Sequence, residues 1–150
     1  QKRAAPPKGI HWSPGDSVIP NYGNYGGPGF TGGRHLKGSE AGAFQVEPED
    51  SLDGLFMEHD RAYGKADAYE KRGEHGKAEQ IRLQADEELV RRMEKLPENP
   101  AKWDKPPSEQ NYGDAKRYKG WASAYFSKKI TGIDALNNFY NAHNGIYAME

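Results

Sequence analysis

Residues 51–63, SLDGLFMEHDRAY, combine a helical apolar stripe with an adjacent histidine and aspartate. Apolar and aromatic side chains recur here at steps of three and four residues, the spacing of one helix face: Leu52, Leu55, Phe56, Tyr63 and Ala66. His59 falls on this stripe, whereas Asp60 is one step round the helix and points elsewhere. The pattern predicts one helix with two uses, a base on its core face and a metal ligand beside it.

Two helices are predicted in the middle of the chain. Asp50 or Ser51 is the expected N-cap of the first helix, which should run to about residue 70. Glycines within residues 71–76 interrupt the pattern, and a second apolar stripe runs from about residue 77 until Pro97 ends it. A short break between helices favours an antiparallel pair.

This pairing makes a prediction about Asp86. If the turn is centred near residues 72–73, His59 and Asp86 are each about 13 residues from it, so both lie roughly 20 Å along their helices. Asp86 also lies at the margin of the apolar face of its helix. We therefore expect its carboxylate to accept a hydrogen bond from the imidazole.

The remaining third of the chain is predicted to add two further helices. Four prolines in residues 97–108 predict a surface linker, and a helix should follow over roughly residues 114–130. Gly132 is expected to end it, and a short fourth helix then begins with Ile133, Leu136 and Tyr140 on its apolar side. The predicted fold is therefore mainly α. The chain has no cysteine, so this fold is free of disulfides.

A glycine-rich loop, residues 21–33 (NYGNYGGPGFTGG), precedes the first helix. Ca²⁺ binds six to eight oxygens, and a chain that bends freely can supply backbone carbonyls. Tyr25, Gly27 and Gly29 alternate, so their carbonyls can converge on one point, with Asp60 as the carboxylate. Residues 34–47 are polar and irregular and predict no regular element.

Charge and the start of the chain limit the function further. The net charge of −1 gives no global attraction for nucleic acid, and no apolar run is long enough to span a membrane. The first residue is not methionine and the start, QKRAAPPKG, is basic and proline-rich. We expect residues 1–20 to be an extended lead-in or linker and residues 21–150 to be one domain, cut from a longer protein.

The two motifs YGNYGGPG and PEDSLDGLFMEHDRAY resemble the calcium loop and the HDxxY active-site helix of secreted phospholipases A2. Asp86, within QADEELV, and the later DAKRYKGWASAYFSKK are similar to the cysteine-free phospholipase segment of parvovirus capsid proteins. The resemblance covers roughly residues 20–130 without the 34–47 insertion. The chain departs from the secreted enzymes where they usually have cysteines: Asn24, Gly26, Leu55, Phe56 and Ala62.

The resemblance implies a phospholipase A2-like fold and assigns roles. His59 would be the general base for water, Asp86 would orient its ring, and Tyr63 would bind Asp86. Ca²⁺ would be held by Asp60 and by the carbonyls of three loop residues: Tyr25, Gly27 and Gly29. The implied reaction is hydrolysis of the sn-2 ester of membrane glycerophospholipids, without a covalent intermediate.

Other interpretations of the same residues stay open. Taken alone, a histidine on an apolar stripe is more often a packed core residue. HD pairs also occur in metal phosphohydrolases, which need several converging histidines; the others here are His11, His35, His75 and His143. The third helix places Trp121, Tyr125 and Phe126 among lysines, which suits either core packing or a membrane face.

Three classes of function fit these observations. The first is the hydrolase, expected to act at a phospholipid surface as a secreted or delivered toxin or effector domain, with a cognate immunity or inhibitor protein in the producing cell. The second is a non-catalytic calcium-dependent module that binds lipid or protein on the same fold. The third is a structural domain for assembly, which would need no calcium.

Overall fold

The structure, a computed structural model, describes residues 8–12 and 19–148, and of residues 133–148 only the helical backbone. The predicted mainly α architecture is confirmed. In chain order the elements are β1 (Ile10–His11), β2 (Asn21–Tyr22), α1 (Ser51–Lys71), α2 (His75–Lys95), two short 3-10 helices (Pro100–Lys102 and Glu109–Asn111) and α3 (Tyr112–Ala148). None of the helices, over the residues described, is long and apolar enough to cross a membrane.

Helices α1 and α2 form the antiparallel pair expected from the short break between them. Asp50 is the N-cap, and its Oδ1 accepts a hydrogen bond of 2.8 Å from the amide of Asp53. Gly73 adopts φ +80°, which favours glycine, and this allows a tight turn after α1. Helix α2 begins at His75, two residues earlier than predicted, and ends at Lys95 just before Pro97.

The prediction of two separate C-terminal helices is wrong, because α3 continues through Gly132 to Ala148. An isolated glycine in a helix costs only about 1 kcal/mol relative to alanine, and no proline follows it to block the backbone hydrogen bonds. The expected apolar side of the fourth helix, Ile133, Leu136 and Tyr140, lies outside the residues whose side chains the structure describes.

The core lies where the three helices meet. It is built from aromatic and aliphatic side chains of the loop, α1, α2 and the first half of α3, with Tyr22, Phe56, Leu89, Met93, Tyr118 and Ala122 among its buried members. The proline-rich linker contributes as well: Trp103 is buried, and its indole N–H donates to the Pro97 carbonyl at 2.7 Å. The linker is therefore partly a core element rather than a purely surface crossing.

Residues 8–12, the described part of the lead-in with residues 19 and 20, contain a short strand that was not predicted. Ile10 and His11 pair antiparallel with Tyr22 and Asn21, and the Ile10 amide donates to Asp114 Oδ2 of α3 at 3.1 Å. Part of the segment expected to be extended coil is thus a two-residue strand held against the domain. The proposed domain boundary at residue 20 stays a prediction.

Two glycine substitutions should have opposite effects on stability. Gly120 is exposed within α3 and has open space around it, so Gly120→Ala should raise the free energy of unfolding by up to about 1 kcal/mol. A Cβ at Gly64 of α1 would lie 2.4 Å from the Gly38 backbone, so Gly64→Ala should lower the free energy of unfolding by roughly 1–3 kcal/mol. Urea unfolding measures both; equal effects would contradict the close approach of residue 38 to α1.

Candidate active site

The glycine loop is fixed to α1 by Asp53. This fully buried carboxylate accepts hydrogen bonds from the amides of Asn24 and Tyr25, both at 2.9 Å, and from the amide of Glu49 at 2.8 Å. Burial raises the pKa of Asp53 to about 7, although the three amides act in the opposite direction. Asp53 thus ties the loop to the first turn of the helix in a chain that has no disulfides.

We expect Asp53→Asn to loosen this loop. The amide cannot accept from all three backbone donors, and its NH₂ group faces one of them, so buried donors lose their partners. The free energy of unfolding should fall by roughly 1–3 kcal/mol. Urea unfolding checks this, with Asp104→Asn in the exposed part of the linker as the matched control. Equal stability of the two variants would remove Asp53 as the anchor.

The irregular segment 34–47 packs onto the loop and α1 through defined contacts. The ring of Phe44 stacks on Tyr25 with centroids 5.9 Å apart, and the guanidinium of Arg61 lies 4.4 Å from the Phe44 centroid. Gly38 passes so close to α1 that a Cβ there would lie 2.1 Å from the carbonyl oxygen of Asp60. This segment therefore forms a wall of the site, a role that its sequence did not predict.

The hydrogen bond expected between His59 and Asp86 is present. His59 Nε2 and Asp86 Oδ1 are 2.7 Å apart, and the hydroxyl of Tyr63 lies 2.9 and 3.1 Å from the two oxygens of the same carboxylate. Asp86 is only 1 % exposed. Burial alone would raise its pKa, but hydrogen bonds from His59 and Lys129 outweigh burial and hold the pKa below its usual value.

This contact defines which ring atom of His59 is available for chemistry. In the neutral ring one nitrogen donates and the other accepts, and the carboxylate requires Nε2 to be the donor. Nδ1 is then the acceptor, and it lies 4.0 Å from Oδ1 of Asp60. The histidine is thus oriented with its basic atom on the side of Asp60.

Asp60 is more enclosed than its position beside the apolar stripe indicated. Its side chain is 16 % exposed and accepts a hydrogen bond from Thr31 Oγ1 at 3.1 Å. Burial raises its pKa well above the usual value. Within the described residues no Lys or Arg nitrogen lies within 4.0 Å of this carboxylate, so it has no permanent positive charge beside it.

The predicted ligands of calcium lie around one cavity. Tyr25, Gly27, Gly29 and Asp60 all line a cavity of about 390 Å³, which His59 and Tyr63 also line. In the part of the chain that the structure describes, no three His, Asp or Glu side chains converge on a metal site. A cation beside Asp60 would be held by that carboxylate together with backbone carbonyls of the loop, an all-oxygen set that suits Ca²⁺.

The other walls of this cavity are mostly apolar. They include Ile19, Pro28, Leu36, Phe56, Trp121 and Phe126. The Phe126 ring meets His59 edge to face with centroids 5.0 Å apart. A His–Asp pair in a mostly apolar cavity suits a ligand that combines an apolar chain with a polar group.

The side chains of the third helix divide into a buried group and an exposed group. Tyr118 and Ala122 are buried in the core, whereas Trp121 and Tyr125 are 41 % and 44 % exposed and stack on each other at the cavity. The aromatic face of α3 therefore both packs against the core and presents an apolar edge to solvent beside the site.

None of the other histidines whose side chains the structure describes lines the cavity with His59. His11 Nε2 lies 2.7 Å from the Gly23 carbonyl oxygen, and His35 packs against Phe30. His75 is exposed at the start of α2 and pairs with Glu70 at 2.9 Å. The side chain of His143 lies outside the described residues.

One residue of the site, Lys129, was not predicted from the sequence as part of it. Its Nζ is 3.0 Å from Oδ2 of Asp86 and 2.8 Å from the Tyr63 hydroxyl. A signal was present, because Tyr118, Ala122, Phe126 and Lys129 follow one another at helical spacing, which places a lysine on the buried stripe of α3.

Comparisons with known proteins add no assignment to this geometry. No protein-family model, no curated protein and no solved structure matches the chain. The resemblance to phospholipases A2 consequently depends on the two motifs and on the contacts described above.

Proposed function

We propose that this chain is a calcium-dependent hydrolase of the phospholipase A2 type, acting on the sn-2 ester of membrane glycerophospholipids. The observation that carries the proposal is the 2.7 Å contact between His59 and Asp86 in the same cavity as Asp60 and the glycine loop. A packed core histidine would need a hydrogen-bond partner, but not a second carboxylate and a glycine loop beside its free nitrogen.

His59 supplies the base in the proposed reaction. Its Nδ1 accepts a proton from a water molecule, and the resulting hydroxide attacks the ester carbonyl. Asp86 holds the ring through Nε2 and stabilises the imidazolium that forms, and the Tyr63 hydroxyl holds Asp86 in turn. The proton then passes from Nδ1 to the leaving alcohol, which restores the neutral ring.

The residues around Asp60 fit a bound Ca²⁺. A desolvated carboxylate without a lysine or arginine beside it is costly unless a cation compensates it. Asp60 and the carbonyls of Tyr25, Gly27 and Gly29 would hold the ion. When bound, the ion would supply positive charge for the ester carbonyl oxygen and for the negative charge that develops on it.

The exposed aromatic edge of α3 supports a membrane substrate. Trp and Tyr favour the boundary between water and lipid. Trp121 and Tyr125 of α3 are exposed and line the cavity. Trp121→Ala should weaken binding to phospholipid vesicles about tenfold, a change of about 1.4 kcal/mol. Turnover of a dissolved short-chain phospholipid should change little.

Vesicle co-sedimentation and a monomeric-substrate assay together test this membrane face. Trp12→Ala is the control, because Trp12 is 59 % exposed and does not line the cavity. A loss of vesicle binding in both variants, or in neither, would argue against a specific role for α3.

The decisive experiment is an assay of products. Mixed phospholipid liposomes should release equimolar lysophospholipid and free fatty acid in Ca²⁺ and neither product in EGTA. Fatty acid labelled at the sn-2 position should appear, whereas label at sn-1 should stay in the lysophospholipid. Release of phosphate or of a head group would place the reaction in another class.

Asp86→Asn separates the hydrolase from the rival binding module. Binding needs Asp60 and the loop but not the His59–Asp86 pair, so this variant should keep calcium and vesicle binding while it loses hydrolysis. A parent protein that binds both without turnover would be the binding module. A structural domain for assembly would show no response to calcium.

The predicted biological setting follows from the proposed activity. A membrane-active hydrolase would suit a secreted or delivered effector, and a producing cell would need an inhibitor of the same site. Co-expression with such an inhibitor should abolish the release of fatty acid that the chain causes alone.

A further inference from the structure

Both carboxylate oxygens of Asp86 are contacted by side chains, and these side chains come from two other helices. Oδ1 faces His59 Nε2 at 2.7 Å, and Oδ2 faces Lys129 Nζ at 3.0 Å. The Tyr63 hydroxyl, from α1, lies within 3.1 Å of both oxygens. The groups that face this carboxylate are thus His59 and Tyr63 of α1 and Lys129 of α3.

A buried carboxylate requires compensation when its histidine partner is uncharged. Asp86 is 1 % exposed, and a general base must be neutral before it accepts a proton. In that resting state the only permanent positive charge within 4.0 Å of Asp86, among the described residues, is the ammonium of Lys129. Without it the carboxylate would tend to bind a proton or rotate toward solvent.

The lysine is itself held in a defined position. Its Nζ donates to the Tyr63 hydroxyl at 2.8 Å and lies 5.4 and 5.7 Å from the ring centroids of Tyr63 and Phe126. The side chain is 37 % exposed, so the ammonium reaches inward from the edge of the cavity. Lys129 and Tyr63 therefore form a clamp around one oxygen of Asp86.

We infer that Lys129 is a positioning residue of the dyad: it keeps Asp86 ionised and oriented while His59 is neutral, so that α3 completes a His–Asp pair otherwise built on α1 and α2. The catalytic part of this inference rests on the proposed function. The ion pair itself is a property of the folded chain and can be measured without turnover.

The test compares Lys129→Met, which keeps the length of the side chain but not its charge, with Lys129→Arg and with Lys128→Met at the neighbouring exposed lysine. For Lys129→Met we expect kcat to fall roughly 10²-fold with KM within about twofold of the parent value. Lys129→Arg should recover most of kcat, and Lys128→Met should resemble the parent.

A second readout does not depend on activity. Carbon-13 NMR of the Asp86 carboxyl, recorded without calcium, should show its pKa rise by about one unit or more in Lys129→Met and stay unchanged in Lys128→Met. Circular dichroism verifies that each variant folds. A folded Lys129→Met protein with an unchanged Asp86 pKa would overturn the inference. If the parent is active, a Lys129→Met variant with the parent's kcat would overturn it as well. If the parent is inactive but the Asp86 pKa shifts, the proposed function fails and the ion pair stands.

Discussion

His59→Gln should lower kcat for phospholipid hydrolysis by roughly 10²- to 10⁴-fold, the range expected when a general base is removed. Glutamine can still donate a hydrogen bond to Asp86, so the local packing of α1 against α2 is retained. It offers no basic atom where Nδ1 stands, beside Asp60 and the glycine loop. Water would then have to attack the ester without transferring its proton.

The measurement is the initial rate of fatty acid release at saturating calcium, together with calcium affinity and thermal unfolding. His75→Gln is the matched control, because His75 is 67 % exposed at the start of α2 and far along the helix pair from His59. The control should stay within about twofold of the parent in kcat. A His59→Gln protein that retained more than a tenth of the parent rate would remove His59 as the base.

The dyad was predictable from sequence because the helix pair is regular. A helix rises by a constant amount per residue, so residues at equal distances from a tight turn lie level. His59 and Asp86 are nearly equidistant from the turn at Arg72–Glu74, and both lie at or beside an apolar stripe. Periodicity and one turn therefore placed two side chains from opposite helices in contact.

The third helix shows where local rules are insufficient. Gly132 was expected to end a helix, but the local cost of glycine is small, and α3 packs against α2 and the linker before it reaches that position. In the sequence Lys129 resembles the other lysines of the third helix. Only the packing of α3 shows that it contacts Asp86 and Tyr63. Its partners, Asp86 and Tyr63, are 43 and 66 positions away in the sequence.

The bent conformation of the glycine loop was predictable from sequence, but its hydrogen bonds to α1 were not. Sequence indicated a bent loop, and the positive φ angles of Gly27 and Gly29 agree with that. The Gly27 carbonyl oxygen also accepts a hydrogen bond of 3.3 Å from the Phe30 amide, which leaves it one lone pair for a cation. Asp53 looked like an ordinary acidic residue of a first helical turn. That it also accepts from the loop amides depends on how the chain returns over α1, which no local pattern specifies.

Removing calcium should abolish hydrolysis and lower the thermal stability of the parent. A ligand that binds only the folded protein stabilises it by about 2.7 kcal/mol when its concentration is 100 times Kd. EGTA should therefore lower Tm together with activity. Mg²⁺ should restore neither, because its small octahedral shell fits poorly with a carboxylate and a flexible set of carbonyls.

Asp60→Asn should separate the effect of the ion from the stability of the fold. Burial raises the pKa of Asp60, so the folded state disfavours the ionised carboxylate. Without calcium, the free energy of unfolding should therefore fall as the pH rises above the pKa that Asp60 has in the unfolded chain. The neutral amide carries no such penalty and can still accept from Thr31. In EGTA at pH 7 the variant should thus be at least as stable as the parent.

Calcium should reverse that order. The parent should gain stability on titration with Ca²⁺, whereas Asp60→Asn, which lacks the proposed carboxylate ligand, should gain little and should hydrolyse phospholipid at less than roughly a thousandth of the parent rate. Asp104→Asn is the control, because Asp104 is exposed in the linker and does not line the cavity. Calorimetric titration and thermal unfolding with and without Ca²⁺ give the comparison for all three proteins. Equal stabilisation of the parent and Asp60→Asn by calcium would place the ion elsewhere and leave the buried carboxylate of Asp60 without the counter-charge proposed for it.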